Sequence, residues 1–328
     1  MTAGVESSST PTADLTYRPA RPDELTACAE IWRVGINDYI ARLGQPEVPR
    51  ETAPLVRLYA HLQSTDPERF VVAVKDDPTG ATGERIVAFA AAVRRERVWF
   101  LSMLFVLPEA QGVGVGRQLL ARTMPEQGEG AVLATATDSA QPVSNALYAS
   151  NDIVPRVPLL NLIGLPHRPE AFGELPSGIQ PVAFDEIARS PGGDGHLRLG
   201  EAVDELDRET LGVAHPQDHR FLRLEQRSGW LYIGPDGVPV GYGYAGESGR
   251  VGPVAVRDAA LVVPILGHLT SAVAPRGAFA MWLPGTAGEA VTATLRAGLR
   301  LDQFPILLCW DRPFADLTRY LPISPGLL

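Results

Sequence analysis

The residues best suited to chemistry form a glycine-rich turn, Gln111-Gly112-Val113-Gly114-Val115-Gly116. An apolar run at residues 98–107 predicts a strand before the turn, and residues 117–124 predict a helix after it. Glycine tolerates positive φ and leaves the backbone open to a ligand, because it has no Cβ. At a helix N-terminus several N–H groups lack an intrahelical acceptor, and the helix dipole favours a negative ligand. The turn therefore predicts a cradle for a pyrophosphate group.

Two common phosphate-binding patterns do not fit this turn. The dinucleotide pattern G-x-G-x-x-G needs a third glycine, but counting from Gly112 or from Gly114 reaches Arg117 or Leu119. The nucleotide pattern G-x-x-x-x-G-K-[ST] needs a Gly-Lys pair, and the sequence contains none. The pattern that does fit is Q-x-x-G-x-G, directly after a strand and a Pro-Glu pair.

This pattern resembles the cofactor loop of the GNAT superfamily of acyl-CoA N-acyltransferases. The resemblance covers residues 17–164 in element order and is sharpest over residues 103–120. It implies that acetyl-CoA is the acyl donor, with its pyrophosphate on the loop amides and its pantetheine along the preceding strand. The cofactor-binding residues implied are Leu104, Phe105, Val106, Gln111, Gly112, Val113, Gly114, Val115, Gly116 and Arg117.

A second motif, Asn145-Ala-Leu-Tyr148, is similar to the family's N-x-x-L-Y segment. Residues three apart share a helix face, so Asn145 and Tyr148 are expected to point the same way. The resemblance implies that Asn145 steadies the CoA arm and that Tyr148 is the catalytic acid that protonates the leaving thiolate. The family commonly has a Gly-Phe pair after this helix, whereas this chain has Asn151-Asp152-Ile153. That departure predicts a different shape at the thioester end.

The sequence leaves the general base unassigned. Many relatives carry a carboxylate on the strand before the loop, but the residues that share a face with Phe100 are Ser102 and Leu104. A water chain that relays the amine proton is as consistent with the sequence as any side chain. The side chains that remain as candidates are Asp38, Tyr39 and Glu96.

A repeated order of elements organises the whole chain. Its 328 residues suit two domains of about 150 residues each. The strand that ends at Val106 matches one that ends at Val256, and similar strand–helix orders surround both. The predicted division is a disordered tail at 1–14, an acetyl-CoA-binding GNAT domain at 15–164, a linker at 165–177 and a degenerate GNAT-like domain at 178–328. The resemblance implies mixed α/β domains, each with a mostly antiparallel, splayed central sheet.

The individual elements follow from hydrophobic periodicity and turn residues. The predicted strands are residues 15–18, 70–75, 85–93, 98–107, 131–136, 157–163, 230–233, 238–245, 250–256, 278–283 and 304–310. The predicted helices are residues 22–43, 52–63, 117–124, 143–149, 199–211, 217–226, 259–273 and 289–297.

The second half has lost the residues that carry the chemistry of the first. Proline at the position of Gly114 has no N–H to give to a phosphate. We therefore expect one CoA per chain, and a C-terminal half that serves packing, acceptor-site shape or a partner surface. The residues at the positions of Gln111, Gly114, Gly116 and Tyr148 are Leu261, Pro264, Leu266 and Leu295.

Metal and disulfide chemistry are not expected. His215 and His219 have the i, i+4 spacing of helical metal ligands, but no Glu follows His215, and Pro216 suits the start of a helix. With only Cys28 and Cys309, the chain has too few cysteines for a disulfide framework or a cysteine metal cluster. This cysteine usage predicts a reducing, cytoplasmic environment.

Charge and hydropathy exclude further classes of function. A formal net charge of -9 disfavours nucleic-acid binding and suits a cationic, small-molecule amine acceptor. No apolar run reaches the roughly 18–20 residues that span a bilayer, and the N-terminus lacks the basic and apolar regions of a secretory signal. A homodimer remains open.

The function expected from the sequence is transfer of an acetyl group from acetyl-CoA to an unidentified amine, by direct attack in a ternary complex. A non-catalytic acyl-CoA sensor or scaffold is the alternative, which the missing strand carboxylate keeps open and Tyr148 disfavours. A duplicated thiol-pathway acyltransferase of the same superfamily would place the active domain in the C-terminal half, where the loop is lost.

Overall fold

Strands and helices alternate in the computed structural model, which describes residues 15–78, 83–126, 128–189 and 195–328. The predicted tail at 1–14 lies outside these residues. The described residues form two compact units, one within residues 1–92 and 103–124 and the other within residues 93–102 and 125–328. Within the described residues, no helix has both the length and the apolar composition that crossing a bilayer requires.

The N-terminal half contains the predicted strands and helices, with bounds that differ by a few residues. A short 3-10 turn, Pro22–Glu24, begins the predicted first helix. In chain order the elements are β1 Leu15–Pro19, α1 Leu25–Ala41, α2 Ala53–Thr65, β2 Phe70–Asp76, β3 Glu84–Arg95, β4 Val98–Val106, α3 Val115–Thr123, β5 Val132–Asp138, α4 Pro142–Ala149 and β6 Val154–Gly164.

The C-terminal half repeats this order of strand, helices, three strands, helix, strand, helix and strand. It also contains short elements that the sequence did not predict, among them β7 and α5. In chain order the elements are β7 Gln180–Ala183, α5 Phe184–Ala188, α6 Gly195–Thr210, α7 Pro216–Leu224, β8 Arg227–Ile233, β9 Pro239–Gly246, β10 Arg250–Val256, α8 Val262–Ala272, β11 Phe279–Pro284, α9 Gly288–Ala297, β12 Arg300–Leu301, β13 Ile306–Trp310 and β14 Tyr320–Leu321.

Aromatic packing holds the first unit together. β1, β2 and β3 pair antiparallel, and α3 packs on β2. The Phe70 and Phe89 rings stack with centroids 5.8 Å apart, and Phe105 stacks on Phe89 at 5.9 Å. Leu119 and Leu120 of α3 are fully buried. Because aromatic and aliphatic side chains on both faces bury large apolar areas, this packing gives the loop before α3 a rigid base.

The second unit contains an exchanged pair of strands. Its sheet has the order β4-β5-β13-β6-β11-β10-β9-β8-β7, in which β4–β5 and β10–β11 pair parallel and the other neighbours pair antiparallel. β13, the late strand of the C-terminal half, therefore lies between β5 and β6 of the N-terminal half. β6 in turn pairs with β11. Strand pairing thus crosses the predicted linker, although the predicted division into sequence domains stays a prediction.

The parallel ladder between β4 and β5 ends before either strand does. Their ladder runs from Val98↔Val132 to Leu101↔Thr135. The Thr135 hydroxyl donates to the Leu101 carbonyl over 2.8 Å at the last pair. β4 nevertheless continues to Val106 and β5 to Asp138. The ladder therefore stops three residues before the end of β5.

Candidate functional site

The glycine turn adopts the backbone geometry that its sequence predicted. Gly112 and Gly114 have φ of +82° and +89°, and a Cβ built on either would meet no atom within 4 Å. L-residues rarely adopt this left-handed conformation, so both positions favour glycine for the backbone itself. The space beside both glycines is open to a ligand.

The start of α3 presents backbone donors beside these glycines. Gly114 is the N-cap, has no side-chain cap, and accepts the first helical hydrogen bond, from the Gln118 N–H over 3.1 Å. By helix geometry, the N–H groups of Val115, Gly116 and Arg117 have no intrahelical acceptor. Together with the helix dipole, these N–H groups can bind a phosphate oxygen.

The strand before the turn fixes its position. The Gln111 side-chain amide donates to the Val106 carbonyl over 2.9 Å, which closes the turn onto the end of β4. Phe105 directs its ring at Trp32 and Phe89, in the core of the first unit. Leu104 and Val106 are partly exposed, as is Phe105. Because the side chain of Phe105 is committed to packing, any contact it makes with a cofactor comes from its backbone.

The predicted acid and its partner lie on α4, in the second unit. The Asn145 amide donates to the Asp138 and Gln141 carbonyls over 2.9 and 2.8 Å, so it fastens the turn between β5 and α4. Its Oδ1 atom is buried without a hydrogen-bond partner. Tyr148 is buried, with 5% of its surface exposed. Burial raises the pKa of the Tyr148 hydroxyl, which therefore carries its proton at neutral pH.

Asp138 is a titratable residue that the sequence reasoning missed. It is the last residue of β5, three positions beyond the final β4–β5 pair, and its carbonyl is held by Asn145 of α4. Burial raises the pKa of the Asp138 carboxyl to about 6. A group with such a pKa is ionised at neutral pH and remains basic enough to accept a proton. The available sequence signal was a lone carboxylate that ends an apolar strand just before the Asn145 helix.

Two of the side chains that the sequence left as candidate bases, Glu96 and Asp38, form ion pairs with arginines. Glu96 pairs with Arg208 at 2.9 Å, and Asp38 pairs with Arg42 at 2.7 Å. The Ser102 hydroxyl donates to the Gly326 carbonyl over 2.5 Å. β4 itself, Val98–Val106, contains no Asp or Glu.

The counterpart of the turn in the C-terminal half has become core. Leu261 and Leu266 are buried, Pro264 is buried inside α8, and none of the three has positive φ. Leu295 is exposed on α9 and has no proton to donate. The backbone donors that α3 presents are absent from this segment as the structure describes it.

The C-terminal half contains a buried polar cluster, of which the sequence suggested only the two histidines. His215 and His219 meet Asp207, and one ligand atom from each lies within 4.8 Å of the others. Tyr242 and Tyr244 are buried and contact Asp207 and His219 through their hydroxyls. The sequence could suggest the two histidines by spacing, whereas Asp207 comes from the preceding helix.

Comparisons with known proteins bear on the family and the fold of the chain. Residues 36–151 match the model of the acetyltransferase (GNAT) family. A search of curated protein sequences gives no significant match. A proposed acetyltransferase from Pyrococcus horikoshii is 14% identical, with 96% of each chain covered and a TM-score of 0.69.

Two further solved structures share the fold. A GCN5-related N-acetyltransferase from Sphaerobacter thermophilus is 18% identical, with 93% of this chain and 98% of that chain covered and a TM-score of 0.57. A tandem GNAT protein from the clavulanic acid biosynthesis pathway is 15% identical, with 92% and 99% covered and a TM-score of 0.51. With sequence identities below 20%, the structural similarity shows the fold alone, and it does so across nearly the whole chain.

Proposed function

We propose that this chain, whose residues 36–151 match the model of the acetyltransferase (GNAT) family, transfers an acetyl group from acetyl-CoA to an amine. Enzymes of this family use acyl-CoA as donor and act on small-molecule or peptide acceptors, so the chain is an acyltransferase. The observation that carries the finer proposal is the open turn at Gly112 and Gly114, whose backbone donors suit a pyrophosphate.

The proposed donor site uses the residues named from the sequence. Loop amides from Gln111 to Arg117 bind the pyrophosphate, and the backbone of Leu104, Phe105 and Val106 hydrogen-bonds the pantetheine. Asn145 supports this assignment through its Oδ1 atom, which is buried without a partner and can accept a hydrogen bond from an amide of the CoA arm.

The proposed chemistry is direct attack in a ternary complex. The amine nitrogen forms a bond to the thioester carbonyl carbon, and the carbon–sulfur bond breaks. The thiolate takes a proton from Tyr148, and the amine gives up a proton to Asp138. The position of Asp138 at the end of β5, three residues past its ladder with β4, and its raised pKa support its role as base. We propose a small cationic amine as acceptor, in keeping with the net charge of -9.

Thiol release from acetyl-CoA across a panel of primary amines tests the proposal. We expect amine-dependent release of CoA and one CoA bound per chain in calorimetric titration, because only the first half retains the turn. CoA binding without release for any amine would favour the sensor alternative. Two CoA sites of similar affinity would contradict the assignment of the C-terminal half.

A further inference from the structure

Three buried side chains of the C-terminal half converge on one point. Asp207 lies on α6, His215 is the N-cap of α7, and His219 is in the first turn of α7. Asp207 Oδ2 is 2.8 Å from His219 Nε2 and 3.3 Å from His215 Nε2. All three side chains are nearly or fully buried. A buried carboxylate requires compensating charge or hydrogen bonds, because its desolvation costs several kcal/mol.

The local chain geometry builds this convergence. α6 ends at Thr210, and Gly212 reverses the chain with φ of +82° while its N–H donates to the Asp207 carbonyl over 3.0 Å. A Cβ at Gly212 would lie 2.1 Å from the Phe314 carbonyl oxygen, so the turn requires glycine. Pro216 then begins α7 and sets the two histidines four residues apart on one helix face.

Each of the three side chains turns its other polar atom to an outer partner. Asp207 Oδ1 accepts a hydrogen bond from the Tyr242 hydroxyl. His219 Nδ1 is 3.0 Å from the Tyr244 hydroxyl. Outer partners of this kind fix the orientation of metal-binding imidazoles and direct their Nε2 atoms to the metal.

His215 has the same arrangement at longer range. Its Nδ1 atom is buried without a hydrogen-bond partner and lies 3.5 Å from Asp218 Oδ2. Asp218 is itself held by the Arg95 guanidinium through contacts of 2.7 and 2.8 Å. A proton on Nδ1 faces this carboxylate favourably, and a metal ion at the common point would replace the proton that Asp207, 3.3 Å away, otherwise favours on Nε2.

We propose that Asp207, His215 and His219 bind one divalent transition metal ion of the zinc type. Two imidazoles and a carboxylate suit zinc better than magnesium or calcium, which prefer oxygen ligands. Zinc bonds of 2.0–2.1 Å in a tetrahedron place ligand atoms about 3.3 Å apart, close to the observed 2.8 and 3.3 Å. The Tyr320 hydroxyl, 3.3 Å from His215 Nε2, supplies an oxygen for the fourth position.

The site is structural rather than catalytic, because its ligands are buried and protein atoms supply its fourth position. The ion would join α6 and α7 to β9 and β14, through the outer tyrosines and Tyr320. It thereby stabilises the half that has lost the glycine turn. A network in which protons rather than a metal occupy the two Nε2 atoms is the competing arrangement, and the experiment separates the two.

The first measurement is the metal content of the full chain, produced in zinc-supplemented medium and determined by mass spectrometry. We expect about one zinc per chain. After removal of zinc by a chelator, Co²⁺ should bind with the visible absorption of tetrahedral cobalt, and zinc should raise the melting temperature. A chain purified with less than about one-tenth equivalent of metal, and no cobalt spectrum, would establish the proton network instead.

Variants then assign the ligands. Asp207→Asn keeps the shape of the side chain and should abolish stoichiometric cobalt binding. Tyr244→Phe removes only an outer partner and should weaken binding by about 10–100-fold while the fold persists. His268→Gln is the matched control, since His268 is a histidine of the same half that bonds Tyr232 outside the cluster. Cobalt binding that is unchanged in Asp207→Asn and Tyr244→Phe, or reduced equally in His268→Gln, would overturn the assignment.

Discussion

The proposed base predicts a specific pH dependence. With a pKa of about 6, Asp138 is about nine-tenths ionised at pH 7 and about one-tenth ionised at pH 5. An aspartate with the ordinary value of 3.8 would remain about nine-tenths ionised at pH 5. If Asp138 accepts the amine proton, the factor by which it raises kcat/KM should fall about tenfold between pH 7 and pH 5.

The assay must separate Asp138 from the titration of the acceptor amine. The ratio of wild-type kcat/KM to that of Asp138→Asn removes the effect of the acceptor's own titration, because both proteins act on the same amine at each pH. At pH 7 the ratio should be about 10²–10⁴, the usual contribution of a general base. It should then fall about tenfold by pH 5. Asp152→Asn, on an exposed residue with φ of +63° that asparagine tolerates, is the control and should keep the wild-type rate.

The Asp138→Asn substitution should also stabilise the protein at neutral pH. The folded pKa lies above the unfolded one, so the folded state binds more protons between about pH 4 and pH 6. The contribution of Asp138 to stability is therefore present below pH 4 and lost as the pH rises through 6. A rise from 3.8 to about 6 corresponds to at most about 3 kcal/mol, and partial exposure reduces this. A slower enzyme with a higher melting temperature at pH 7 is the expected signature. A pH-independent ratio would refute the role of Asp138 as base.

Three further predictions test the turn, the acid and the exchanged strands. Gly114→Ala should weaken CoA binding at least tenfold in calorimetry. The substitution adds a Cβ at the cradle, and an alanine with positive φ costs about 1–2 kcal/mol of backbone strain. Gly44→Ala, with φ of +66°, causes only the backbone strain, and this control should bind CoA normally. Tyr148→Phe should lower kcat by about 10²–10⁴ with little change in CoA affinity, whereas Tyr232→Phe should not, and equal turnover in both would remove Tyr148 from the mechanism. A chain ending at Leu165 loses β11, β12 and β13, the three partners of β6, and should be insoluble or unfolded; a soluble, fully active fragment would contradict this dependence.

The glycine turn could be predicted from the sequence because its conformation depends on neighbouring residues. Gln111, Gly112 and Gly114 are neighbours in the chain, and their conformations depend on residues only a few positions away. The same holds for the ends of β4 and β10, at Val106 and Val256, where apolar runs stop. Leu261, Pro264 and Leu266 showed the loss of the second turn for the same reason.

Features that depend on distant pairing could not be predicted. The apolar run at residues 304–310 predicted a strand, but nothing in it specifies that β13 pairs with β5 and β6, because backbone hydrogen bonds that any residue can make join neighbouring strands. Asp207 is eight residues before His215, so only the turn at Gly212 brings it to the histidines. Short β7 and α5 lack enough periodic residues to be recognised. Asp138 stood out only once burial had raised its pKa.

The exchanged strand explains how the C-terminal half can matter after losing its turn. Ile306 of β13 is the register partner of Asp138, and Cys309 pairs with Thr135 in the same ladder. β5 is therefore held in place beyond its last pair with β4 by a strand of the other half. Replacing the backbone donors of the second turn with Leu261, Pro264 and Leu266 leaves this ladder untouched, since those residues pack in the core around α8. Within the second unit, the half without a cradle still supplies the strand that positions the proposed base.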